Sequence, residues 1–120
     1  MSAKIVEVTD RVITIKVSGQ LTHPELAASQ QAAGEILDRL GKGRLLIVTE
    51  DFQGMVKRGD WEDVSFQMQH DAQIERIAIV SEKRWAETAL LFTGKGIRKM
   101  AIEHFEPSQL DQARTWAGAD

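Results

Sequence analysis

His23, Asp51 and His104 are the side chains whose types suit a metal ion or proton transfer, since imidazole and carboxylate serve both purposes. They fall in three separate stretches, and no spacing ties them together. The plainer assignment is a helix cap for His23, an acidic turn residue for Asp51 and a loop imidazole for His104. His70 falls near the end of an expected helix, where a cation complements the negative end of the dipole. Gly94-Lys95-Gly96 has the composition of a phosphate loop, but not its full glycine and Lys-Ser/Thr spacing. It also follows a helix rather than a strand, so it is a turn. Ser81 has no flanking glycines at nucleophile-elbow spacing and is expected to cap a helix. No catalytic residue, metal ligand or cofactor site is expected, and the chain reads as a non-enzyme.

The apolar residues offer a different chemistry. Phe52, Met55 and Val56 fall in an expected loop over 50–59, punctuated by Gly54 and Gly59, with Lys57 and Arg58 beside them. Such a loop exceeds the usual ~2–6 residues, and long loops tend to carry function. Its apolar residues suit contact with a partner or a pocket, and its two cations would orient an acidic partner. Trp61, Trp85 and Trp116 sit at helical spacing and belong first to the core.

The elements that must position these residues follow from periodicity. Ile5, Val6 and Val8, then Val12, Ile13, Ile15 and Val17, read as two strands joined at Asp10-Arg11 as a hairpin, the second ending at Gly19-Gln20. Thr22 or His23 caps a first helix with Pro24 in its first turn and Leu26, Ala33, Ile36, Leu37 and Leu40 along it, stopped over 41–43. Leu45 to Val48 is a continuous apolar run, as in a strand covered on both faces. Asp60 is the expected cap of a second helix with Trp61, Val64 and Met68. A strand over 74–80 follows, then a third helix with Trp85, Ala89 and Phe92. A last strand over 97–103 leads to a final helix capped by Ser108 and carrying Leu110, Ala113 and Trp116. The order β-β-α-β-α-β-α-β-α predicts an α/β fold with a mostly parallel central sheet flanked by helices, its strand order left open. Ligands of such sheets sit beyond the carboxyl ends of the strands. Leu46, Val48, Ile77 and Ile79 are expected to be nearly fully buried.

Bulk properties narrow the partners. The chain has 120 residues, which suits a single domain over 1–120. Its net charge of −3 removes the usual electrostatic reason to bind nucleic acid. It has no cysteine, hence no disulfide or thiolate metal site. No signal core or membrane-length apolar stretch is read, which makes a cytoplasmic location the expectation.

A family is suggested by Asp51-Phe52-Gln53-Gly54 after the third strand and by Trp61-Glu62-Asp63 opening the second helix. Ile77-Ala78-Ile79-Val80 with Trp85, and Phe105 ahead of a helix with Ala113 and Trp116, complete the pattern. From about the second strand to the C-terminus the chain resembles the SpoIIAA-like group of small bacterial proteins, within the STAS fold of anti-anti-sigma factors. The likeness of that fold to CRAL-TRIO lipid-carrier domains implies an apolar pocket. Phosphorylatable STAS proteins carry a Ser or Thr in the loop after the third strand, whereas residues 50–64 contain neither. The resemblance thus implies no phosphoryl switch at that place. The first expectation is a non-enzymatic protein-interaction or regulatory module using Asp51, Phe52, Met55, Val56, Lys57, Arg58 and Trp61, its partner a protein or a second copy in a homodimer. The alternative is a carrier of a small apolar or lipid-like ligand between sheet and helices near Trp61, Trp85 and Phe105.

Overall fold

Asp10 and Arg11 both take positive φ, 51° and 68°, as a two-residue type I′ hairpin turn requires. They join β1 (Ala3–Thr9) to β2 (Val12–Leu21), which pair antiparallel as expected. The computed structural model describes residues 3–55, 65–93 and 99–119. Strand β2 does not end at Gly19-Gln20 but runs on to Leu21. Thr22 then caps α1 (His23–Leu40), its hydroxyl accepting from the Glu25 N–H at 3.4 Å.

β3 (Gly43–Met55) is much longer than the apolar run suggests and absorbs the first part of the expected loop. After it come α2 (Ser65–His70), β4 (Ile74–Val80), α3 (Ala86–Thr93), β5 (Ala101–Phe105) and α4 (Leu110–Gly118). Two helix caps and one side chain lie elsewhere than expected. A 3₁₀ turn over Lys83–Trp85 leads into α3, so Ser81 lies in the junction before it rather than at its cap. Ser108 sits inside another 3₁₀ turn, Pro107–Gln109, which is closed instead by Gln109 Oε1 accepting from the Glu106 N–H at 2.9 Å. Met68 is 83% exposed on α2 rather than facing the core. Asp60, Trp61, Val64 and the Gly94-Lys95-Gly96 turn lie outside the described residues.

The sheet order is β1-β2-β3-β4-β5, with β2 to β5 all parallel. Alternation divides the strands between two faces. Ile13, Ile15, Leu45, Ile77 and Ile79 pack with Ala33 and Leu37 of α1 and with Ala89 and Leu90 of α3. Leu46, Ala78 and Val80 face Ala113 and Ala117 of α4. Leu46, Ile77 and Ile79 are buried as expected, but Val48 is only half-buried. It lies toward the carboxyl ends, among the residues packed around the margin of the α4 cluster.

Two bulges break the alternation of β3. Ser18 pairs with Glu50 but Gly19 with Phe52, so Asp51, at φ 51°, is an extra residue. Gly19 pairs with Phe52 but Leu21 with Met55, which inserts a second extra residue beside Gly54, at φ 98°. A bulge re-aims the side chains that follow it. Even-numbered Leu46 and Val48 face α4, yet Phe52 joins the opposite cluster, with Met55 packed against it.

Candidate functional site

That rephasing builds a cavity of about 120 Å³ between the sheet and the layer of α1, α2 and α3. Ile15 and Val17 of β2, Leu45 and Ile47 of β3, and Ile77 and Ile79 of β4 form its floor. Leu26 and Ala33 of α1 and Ala89 of α3 close it from the helix side. At the carboxyl ends of the strands Leu21, Phe52, Met55, Phe66 and Trp85 complete the wall, in the position where open α/β sheets hold ligands. Phe52 meets Trp85 edge-on, ring centroids 5.0 Å apart. A Cβ at Gly54 would meet the Trp85 ring at 3.6 Å, an ordinary contact, so it is the φ of 98° and not the space that favours glycine there.

The walls are almost wholly apolar, and among the described residues no Asp, Glu, Lys, Arg or His contributes to them. The polar residues of the lining are Ser29, Gln30, Thr49, Ser81 and Thr88, and two of their hydroxyls are engaged as donors to the main chain. Ser29 Oγ donates to Leu26 O at 2.8 Å, and Thr49 Oγ1 to Val80 O at 2.9 Å. The indole N–H of Trp85 is buried and has no partner among the described residues.

The candidates for chemistry are dispersed. His104 does not meet Asp51; its Nε2 lies 2.8 Å from Ser81 Oγ. Ser81 is 1% exposed and its N–H donates to Phe105 O, so the pair ties the ends of β4 and β5 together. A nucleophilic serine needs a free oxyanion donor and an oriented base. Here the Ser81 amide is already engaged. His23 opens α1, and Asp51 is exposed in its bulge. Among the described residues no three His, Asp or Glu side chains stand close enough to hold a metal ion. His70 does end α2, but its ring is buried and lies 2.7 Å from Gln73 Oε1. Lys16 Nζ pairs with Glu50 Oε2 at 2.6 Å across β2 and β3, and this hydrogen bond and charge hold the Glu50 carboxyl below its ordinary range.

The expected contact surface is therefore divided. Phe52 and Met55 belong to the cavity wall instead of an exposed loop. Trp85 joins them, but Phe105 lies on the opposite face against Trp116, centroids 5.9 Å apart. Trp85 and Phe105 cannot share one ligand between sheet and helices. Val56, Lys57, Arg58 and Trp61 lie outside the described residues. Periodicity missed the cavity because a strand interrupted by Asp51 and Gly54 resembles a loop, and because Thr49, Ser29 and Ala33 carry no individual signal.

An uncharacterized protein from the DUF3478 family with a SpoIIAA-like fold, from Shewanella loihica PV-4, is similar in structure with a TM-score of 0.67. The two are 20% identical, and the match covers 96% of this chain and 91% of that one, which speaks for the fold. No curated protein matches the chain. No helix among the described residues is long and apolar enough to cross a membrane. The SpoIIAA-like family model matches residues 12–118, and with the sheet order and helix layers above it establishes that the chain belongs to the SpoIIAA-like family.

Proposed function

We propose that this protein is a non-enzymatic binding module that holds a small apolar molecule between the sheet and the α1–α3 layer. The observation that carries the reading is the apolar cavity at the carboxyl ends of the strands, with Phe52, Met55 and Trp85 in its wall. Largely preformed apolar concavities with a few polar groups are the usual form of small-molecule sites. An engineered cavity of roughly 150 Å³ in another protein takes up benzene, so a space of this scale suits one ring. The protein-interaction reading loses Phe52 and Met55 from its exposed surface; among the described residues Val6, Val8, Leu40 and Met68 are the large apolar side chains left exposed.

Saturation with toluene should raise the Tm by several degrees, because a ligand that binds only the folded state stabilises it by mass action. Ala89→Phe, which fills the cavity from α3, should remove that rise. An unchanged Tm in the wild type would sink the proposal. Native capture followed by mass spectrometry of both co-purified proteins and extracted apolar compounds separates this reading from a protein-interaction module.

A further inference from the structure

Among the described residues, α2 is the least anchored part of the layer over the cavity. α1 reaches the core through Ala33 and Leu37, and α3 through Ala89 and Leu90. On α2, Met68 and Gln69 are exposed, whereas Phe66 is half-buried and His70 buried. Side chains four residues apart share one face of a helix, and these two rings have centroids 5.1 Å apart. Phe66 lines the cavity. His70 fills the notch that Gly34 leaves on α1, where a Cβ would lie 2.6 Å from its Nε2.

Beyond His70 the chain is anchored. Its Nδ1 lies 2.7 Å from Gln73 Oε1, and Gln73 Nε2 donates to Asp38 Oδ1 of α1 at 3.2 Å. Ile74, next along, is buried and opens β4 in register with Gly43 of β3. The short turn Asp71–Gln73 therefore joins a fixed strand to α2. A helix of six residues does not persist by itself, so its inward face must hold α2 in place. Local opening costs least where few apolar side chains are buried. Here the same small face that holds the helix down also closes the cavity.

We propose that α2 is the door of the cavity: it swings about the Asp71–Gln73 turn when the His70 ring leaves the Gly34 notch, and it carries Phe66 off the wall. This rests on the reading of the cavity as a ligand site and adds the route by which a ligand enters. The opening itself can be measured without one.

The chain has no cysteine, so Ala33→Cys places a single thiol in the lining, at a position that is 0% exposed. Its modification by iodoacetamide, followed by intact mass, reads the population of the open form when reclosing is fast. On that background His70→Ala removes the latch and should speed modification about tenfold, because the lost ring contacts lower the cost of local opening. Gly34→Ala pushes the ring out of the notch from the other side; it should also speed modification, and it decides the matter if His70→Ala does not fold. Val12→Ala, in the α4 cluster, controls for general loss of stability and should leave the rate nearly unchanged. An unchanged rate in the latch variants overturns the proposal. Equal acceleration by Val12→Ala overturns it too, because the thiol then reacts through global unfolding. Either result leaves the cavity as a binding site, judged by toluene alone. Faster modification in the latch variants, with no toluene bound by the wild type, supports the opening of α2 and sinks the proposed function.

Discussion

Asp10, Arg11 and Asp51 adopt positive φ without being glycine. For the first two the reason is the hairpin: only a left-handed pair matches the twist of β1 and β2 across two residues. The Arg11 carbonyl is held in place by the Arg44 N–H at 2.8 Å, which links the turn to the start of β3. A left-handed conformation costs a residue with a Cβ roughly 1–2 kcal/mol, and glycine removes most of that while adding freedom to the unfolded chain. Arg11→Gly should therefore be more stable by about 0.5 kcal/mol, a Tm increase of about 2–3 °C by calorimetry. A lower Tm would mean that the arginine side chain contributes more than its backbone costs. Asp10-Arg11 is legible as a turn because the strands on each side are regular. Asp51 is not, because its left-handed turn lies inside a strand.

Among elements, the contact of α1 with α2 depends on a residue that propensity alone would replace. Gly34 is buried in the middle of α1, and a Cβ there would lie 2.6 Å from His70 Nε2. Alanine would favour the helix by about 1 kcal/mol, but the His70 ring is buried and bonded to Gln73 and cannot yield cheaply. Overpacking of this kind costs about 1–3 kcal/mol. Gly34→Ala should thus lower the denaturation midpoint, and adding His70→Ala should recover part of the loss. A more stable Gly34→Ala would show that α2 moves aside freely. The end of α4 is secured by residues equally silent in the sequence. Arg76 donates to the carbonyls of Trp116 and Ala119 at 2.6 and 3.0 Å, and Arg44 to that of Ala117 at 3.0 Å. Cations at a helix C-terminus complete its unpaired carbonyls and complement its dipole. Both arginines project from strands on the α4 face, which is why no reading of α4 alone reveals them.

At the scale of the whole molecule, the two faces of the sheet are covered unequally. Three helices lie over the cavity face and α4 alone over the other. The larger layer is the one that leaves a cavity, lined by residues of α1, α2 and α3 over the carboxyl ends of β2 and β3. The smaller layer is tight: Leu46 is 1% exposed beneath Ala113 and Ala117. Leu46→Asp should prevent soluble folding, since an unpaired buried carboxylate costs several kcal/mol. A cooperative melt near the wild-type midpoint for that variant would contradict the assignment of this face.

The order of elements was legible in the sequence because each of the regular ones announces itself locally. Apolar runs over Leu45 to Val48 and Ile77 to Val80 mark strands covered on both sides, and Thr22-His23-Pro24-Glu25 marks the start of α1. Strand order, the length of β3 and the cavity were decided only by tertiary structure. Glycine and aspartate normally break strands, so Asp51 and Gly54 imply a loop until pairing with Gly19 and Leu21 shows them to be bulges. Those bulges turn Phe52 and Met55 from a surface toward the interior. The same distinction separates Trp85 from Phe105: both are aromatic residues near strand ends, and only the sheet assigns one to the cavity and the other to α4. A sequence carries residue types and local periodicity; which face a side chain joins depends on partners brought together from distant parts of the chain.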